Sequence, residues 1–162
     1  MLALAHWLES TVLSQEIQKA LWLIPLLQTI HIIAIAMVLS SVLMVELRIL
    51  GLGTSLTMTQ TSARYVPWLW TGLSLLAVTG SALIIGEPKR ALPNPAFQIK
   101  MLILASAVAP VLAFQTSLRR NIAFWEGHSL GRRLAGGFVV VVFLLWCAIA
   151  VAGRWIAYLP SA

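Results

Sequence analysis

The chain has 162 residues, a net charge of +6, 60% hydrophobic residues and only 10% charged ones. Soluble domains carry about 25% charged residues, so too little polar surface is available to cover a water-soluble globule. The basic residues form no exposed face of the kind nucleic acid requires. The single cysteine, Cys147, excludes an internal disulfide and a cysteine-based zinc site.

Residues 1–18 mix apolar side chains with Glu9 and Glu16, and Leu4, Leu8 and Val12 share one helical side. That pattern predicts a short interfacial helix. It opens without a basic stretch and without a small-residue cleavage site, so it is expected to be retained rather than removed as a signal peptide.

Four uncharged windows follow, residues 20–45, 66–86, 101–118 and 134–153, with 26, 21, 18 and 20 residues. A hydrocarbon layer of ~30 Å needs about 20 helical residues, and a helix satisfies its own backbone in lipid. The expected fold is therefore all-α and integral to a membrane. It is a single-domain bundle of four transmembrane helices over about 20–48, 66–86, 95–118 and 134–158, preceded by the interfacial helix. Pro67 is expected at the first turn of the second span, where proline is tolerated. Asn94 and Pro95 read as the N-cap and first residue of the third. Pro25 and Pro110 are expected to bend their spans. Trp22, Trp68, Trp70, Trp155 and Tyr158 fall near span ends, as in an aromatic belt. Gly72, Thr79 and Gly86 recur every seven positions, and Cys147, Ala150, Gly153 and Ala157 form a similar stripe. Such stripes allow close helix packing or could admit the face of a flat ligand.

The connections after spans one and three carry Arg48, Arg64, Arg119, Arg120, Arg132 and Arg133. The opposite ends carry Lys19, Lys89, Arg90, Lys100 and Arg154. This bias favours cytoplasmic Arg-rich loops with both termini outside.

Within "HIIAIAMVLSSVLMVELRILG", residues 31–51, two ionisable groups stand out. His31 lies ~16 Å along the first span, near mid-depth. An intramembrane ionisable residue is a functional candidate; the alternative is a neutral histidine hydrogen-bonded to a neighbouring helix through Ser, Thr or Gln. Lys100 and Arg154 belong to the same half of the layer. Each could simply snorkel to the headgroups. Together with His31 they present one imidazole and two cations, which suits haem b, with iron on His31 and carboxylates toward Lys100 and Arg154. A quinone or an anionic lipid would suit the same set. Glu46 sits ~60° round the helix from His31. It is expected to face the bundle and pair with an arginine of a neighbouring loop, or to anchor the inner interface with Arg48.

No soluble-enzyme constellation is present, and no catalytic residue is assigned. "GLG" at 51–53 is too short to cradle phosphate. "GHSLG" around His128 lacks the strand-turn-helix context of a nucleophile elbow. Five scattered methionines do not supply the repeated soft ligands of a copper path.

These stretches carry a resemblance. "HIIAIAMVLSSVLMVELRILGLG" resembles the first-helix signature of an uncharacterised bacterial membrane family: His-Leu-Leu-Gly, a small-residue apolar run, then Asp-Leu-Arg-Leu-Leu-Gly. Glu46 stands at the Asp, and Arg48 and Gly51 match. "PWLWTGLSLLAVTG", "FQIKMLIL" and "AGRWIAY" resemble its later helices, so the likeness spans roughly residues 27–158. A looser similarity reaches four-helix haem-binding protoporphyrinogen oxidases and copper-resistance membrane proteins of the CopD type. In the oxidases a first-helix His and a Lys opening the third helix occupy the places of His31 and Lys100. The proline before the arginine and the aromatic-rich stretch of those oxidases are missing here. The resemblance implies a bacterial inner-membrane protein associated with haem b, acting in electron transfer or oxidation of a lipophilic substrate. The competing expectation is a non-enzymatic subunit that anchors a membrane redox or transport complex, with a second copy of the chain as a further possible partner. A small transporter is a third.

Overall fold

The computed structural model describes residues 2–52, 56–120 and 129–155, without the side chains at 110, 111, 114, 115, 118, 119, 129–135, 154 and 155. Among these residues there is no strand. The helices are α1 (Leu2–Glu9), α2 (Val12–Lys19), α3 (Leu23–Ile49), α4 (Met58–Gly86), α5 (Pro88–Ala91), α6 (Pro95–Arg120) and α7 (Ser129–Trp155). Three stretches are long and apolar enough to cross a membrane: α3, α4 and Gly136–Gly153 of α7. The described apolar part of α6, Pro95–Ala109, is shorter.

Local chemistry sets the boundaries. The N-terminal segment is two helices because Ser10 and Thr11 turn their hydroxyls onto the Trp7 and Leu8 carbonyls, at 2.7 and 2.6 Å. The Thr11 hydroxyl also accepts from the Ser14 amide and so starts α2. Side-chain bonds of this kind compete with the helical ladder. Helix α4 starts eight residues before the uncharged window, at a capping box: the Thr57 hydroxyl accepts from the Gln60 amide, and the Gln60 side chain accepts from the Thr57 amide. That box satisfies two amides at once. Pro67 is therefore inside α4 rather than at its first turn. Pro25 moves the other way, to the third residue of α3, where a missing amide breaks no helical bond. The bend expected at Pro110 falls on a side chain outside the described residues. Asn94 caps α6 as expected, its Oδ1 accepting from the Ala96 amide at 2.9 Å.

Helix α3 stops at a Schellman motif. The Leu52 amide donates to the Leu47 carbonyl at 2.8 Å and the Gly51 amide to Arg48 at 3.0 Å. Gly51 has φ +75°, the left-handed conformation that glycine adopts without penalty. The glycine closing "ELRILG" is thus a helix stop. Gly51→Ala is expected to lower stability by roughly 1–2 kcal/mol, read as a lower unfolding midpoint in detergent.

The long helices pack as two close pairs, α3 with α4 and α6 with α7, and α3 also meets α7. Helices α3 and α4 are antiparallel, since His31 meets Thr79 and Val38 meets Gly72. Val38, Val42, Leu69, Ala107, Val142, Trp146 and Ile149 form the core between the four. Helices α1 and α2 fold back over the end of α4. The buried Ser14 hydroxyl donates to the Ile85 carbonyl at 2.7 Å, Ile17 packs on Gly86, and Lys89 pairs with Glu9. Ser14 thereby satisfies one of the last carbonyls of α4, which the helix cannot bond internally.

The outward faces are apolar. Ile32 is 66% exposed, Val78 68%, Leu102 73% and Leu144 60%. Less than a third of each candidate span is buried inside the protein. A largely apolar exterior of this extent is unsuited to water. Trp22 and Trp68 are also exposed, whereas the side chains of Trp155 and Tyr158 lie outside the described residues.

Candidate functional site

Eight residues into α3, the His31 ring turns toward α4 rather than outward. Its Nδ1 lies 2.7 Å from the Thr79 hydroxyl. The same hydroxyl lies 2.6 Å from the Leu75 carbonyl and donates to it. A threonine hydroxyl has one proton, so the histidine contact runs the other way: Nδ1–H donates to the Thr79 oxygen. The ring is fixed as the Nδ1–H tautomer, and the lone pair resides on Nε2. Gly80 lets the ring lie close to α4, where an added Cβ would stand 3.4 Å from His31 Cε1.

Lys100, near the start of α6, is half-buried. Its stem crosses α7 at Gly153, and a Cβ built there would stand 3.3 Å from Nζ and 3.6 Å from Cε. Lys100 lies within electrostatic range of the His31 ring. Four helices thus contribute to one region: the imidazole from α3, Thr79 and Gly80 from α4, the ammonium from α6, and the glycine under its stem from α7. Arg154 follows that glycine in the chain, and its side chain lies outside the described residues.

The two small-residue stripes have specific partners. Gly72 is packed by α3, where a Cβ would stand 2.7 Å from Val38 Cγ2 and 3.3 Å from the Ala34 carbonyl oxygen. Thr79 holds His31. Gly86 faces Ile17 of α2, at 2.8 Å from the same construction. On this stripe the contacts are with the protein's own helices. The second stripe has Gly153 beneath Lys100, while Ala157 lies outside the described residues.

Glu46 faces the bundle, as its phase with His31 implies, and is 5% exposed. No arginine pairs with it among the described residues: neither carboxylate oxygen has a hydrogen-bond partner. The ion pairs found there are Lys19 with Glu16, Lys89 with Glu9 and Arg90 with Glu87, all at the end capped by α1 and α2. Arg48 is half-buried and makes none of them.

Sequence reading places Thr79 only in a packing stripe and leaves Ser62 unnoticed. A polar residue interrupting a glycine heptad opposite a histidine was the available signal for Thr79. For Ser62 there was none.

The donor chemistry fits a haem-iron ligand: a fixed imidazole whose Nε2 has no hydrogen-bond partner among the described residues, and a cation in the same region for a carboxylate. The described residues hold no group of three His, Cys, Asp or Glu side chains able to bind a bare metal ion. Comparison of the chain with protein-family models, curated proteins and solved structures finds no match.

Proposed function

We propose that this chain is a small membrane protein of four spans that holds one haem b in the half of the bundle containing His31. Its work is electron transfer in the membrane or oxidation of a lipophilic substrate. The observation that carries this reading is the Thr79 bond to His31 Nδ1. Haem-ligating histidines need the second ring nitrogen oriented by a hydrogen bond, which fixes the tautomer and raises ligand basicity. His31 Nε2 would hold the iron, and Lys100 and Arg154 would receive the propionates. When bound, the group supplies an iron centre that accepts and returns one electron. The resemblance to haem-binding four-helix membrane proteins agrees with this assignment, as does the bacterial inner-membrane location it implies. The apolar exterior supports the membrane setting, with α6 as the fourth crossing and α1–α2 at the interface.

The test is the visible absorption spectrum of the detergent-purified protein, oxidised and reduced. A Soret band that shifts on reduction supports the assignment; a colourless, folded protein expressed with haem in supply overturns it. In the second case the Thr79–His31 bond is a lock between α3 and α4 in an accessory subunit of a membrane redox or transport complex. Orientation has a separate check. A cysteine at Arg120→Cys is expected to react with an impermeant thiol reagent only from the cytoplasmic side, and labelling of intact cells would invert the topology.

A further inference from the structure

The end of the bundle away from α1 and α2 holds a second polar site, which the haem assignment does not use. Glu46 is more than nine-tenths buried, and both its oxygens lack partners among the described residues. The contacts His31–Thr79 and Val38–Gly72 set the register of α3 on α4. Seven residues along one match seven back along the other, so Glu46 comes level with residues 61–65 of α4. There the Ser62 hydroxyl is also buried and without a partner. Two orphaned buried polar groups from two helices therefore lie at a similar depth, without a hydrogen bond between them. Most buried polar groups in proteins are satisfied, so an orphan asks for an explanation.

The other described glutamates have cations. Glu9 pairs with Lys89, Glu16 with Lys19 at 2.6 Å and Glu87 with Arg90 at 3.3 Å. The described charged or titratable side chains at this end of the bundle are Arg48 on α3, Arg64 and Tyr65 on α4, and Arg120 at the end of α6. Arg64 is exposed and lies over Tyr65, 5.9 Å from the ring centroid. The side chains of Arg119, Arg132 and Arg133 fall outside the described residues. A bare carboxylate in such a place is costly. A metal cation would not relieve it, because one carboxylate and one hydroxyl offer three oxygens, fewer than the six or so that hard cations take. A proton needs neither further ligands nor space.

We propose that Glu46, at a depth similar to that of Ser62 on α4, is a proton-binding site at this end of the bundle. A carboxylate oxygen of Glu46 forms an O–H bond with a proton given up by hydronium, which leaves as water. The protonated acid is neutral, which removes the cost of a bare buried carboxylate. Release is the reverse, and no electrons move. Intramembrane carboxyls of this kind serve proton relays, and here the proton would exchange with the cytoplasmic side.

The full-length protein, carbon-labelled at the glutamate carboxyls and held in lipid nanodiscs, tests this by carbon NMR. The chain has five acidic residues, all glutamates, so the carboxyl region is simple. One resonance is expected at the acid position at neutral pH, shifting in heavy water and moving toward the carboxylate position as pH is raised. It is lost in Glu46→Gln. Should Glu46→Gln fail to fold, Glu46→Asp is expected to remove that resonance from the glutamate spectrum while keeping the carboxyl group. Five carboxylate resonances at neutral pH overturn the proposal and indicate an arginine partner instead. So does an acid resonance that persists in Glu46→Gln.

Discussion

His31→Ala is expected to remove the Soret band completely while leaving helical circular dichroism unchanged. Thr79→Val is the sharper companion. It keeps the ligand but leaves the His31 Nδ1–H without the acceptor now 2.7 Å away. Loss of such an outer partner typically weakens metal binding by roughly 10–100-fold. Thr79→Val should therefore retain colour at high haem and lose it on dilution or on competition with a haem-binding apoprotein. Thr79→Ser keeps the hydroxyl and should restore most of the affinity. Equal loss of colour in the serine and valine variants would show that the hydroxyl is not what positions the ring. If the wild type is colourless, the same pair reports on the helix lock instead. An unpaired buried N–H costs about 1–3 kcal/mol, so Thr79→Val would then lower the unfolding midpoint where Thr79→Ser does not.

Gly72→Ala should produce the largest loss of stability among the glycine substitutions along α4. The added methyl would stand 2.7 Å from Val38 Cγ2 and 3.3 Å from the Ala34 carbonyl oxygen. Backbone cannot swing aside as a flexible side chain can, so α3 and α4 must separate. Overpacking of this kind costs typically 1–3 kcal/mol. Because α3 and α4 hold the His31–Thr79 bond, the same variant should also weaken haem retention. Gly137→Ala is the control. A Cβ there meets nothing within 4 Å, and replacing glycine by alanine inside a helix gains about 1 kcal/mol. Thermal unfolding in one detergent should rank the two on opposite sides of the parent. A neutral Gly72→Ala would mean that α3 and α4 are not in close contact.

How much of this was legible in advance depends on whether the cause was local. The uncharged windows forecast the long helices because a run of apolar residues is readable at any position. The Asn94–Pro95 start was readable because a cap needs only its own neighbours, and Ala96 supplies the amide. The start of α4 was missed for the opposite reason: charge counting stops at Arg64, while the capping box at Thr57 and Gln60 carries the helix on past it. The break between α1 and α2 was missed because two hydroxyls bonding backward at Ser10 and Thr11 leave no mark on hydrophobic periodicity.

The sequence alone determined that this is a helical, apolar chain, that His31, Lys100 and Glu46 are its anomalous polar residues, and that Gly72, Gly86 and Gly153 mark close approaches. Those properties follow from composition and from helical phase, which are one-dimensional. Only the tertiary structure decided that the hydroxyl of Thr79 orients His31, that Lys100 crosses Gly153 to reach the same region, and that Glu46 comes level with Ser62 without a cation among the described residues. Each of those pairings joins residues far apart in the chain. It depends on the register of one helix on another, which the shapes of Gly72 and Val38 set through contact and no single segment encodes.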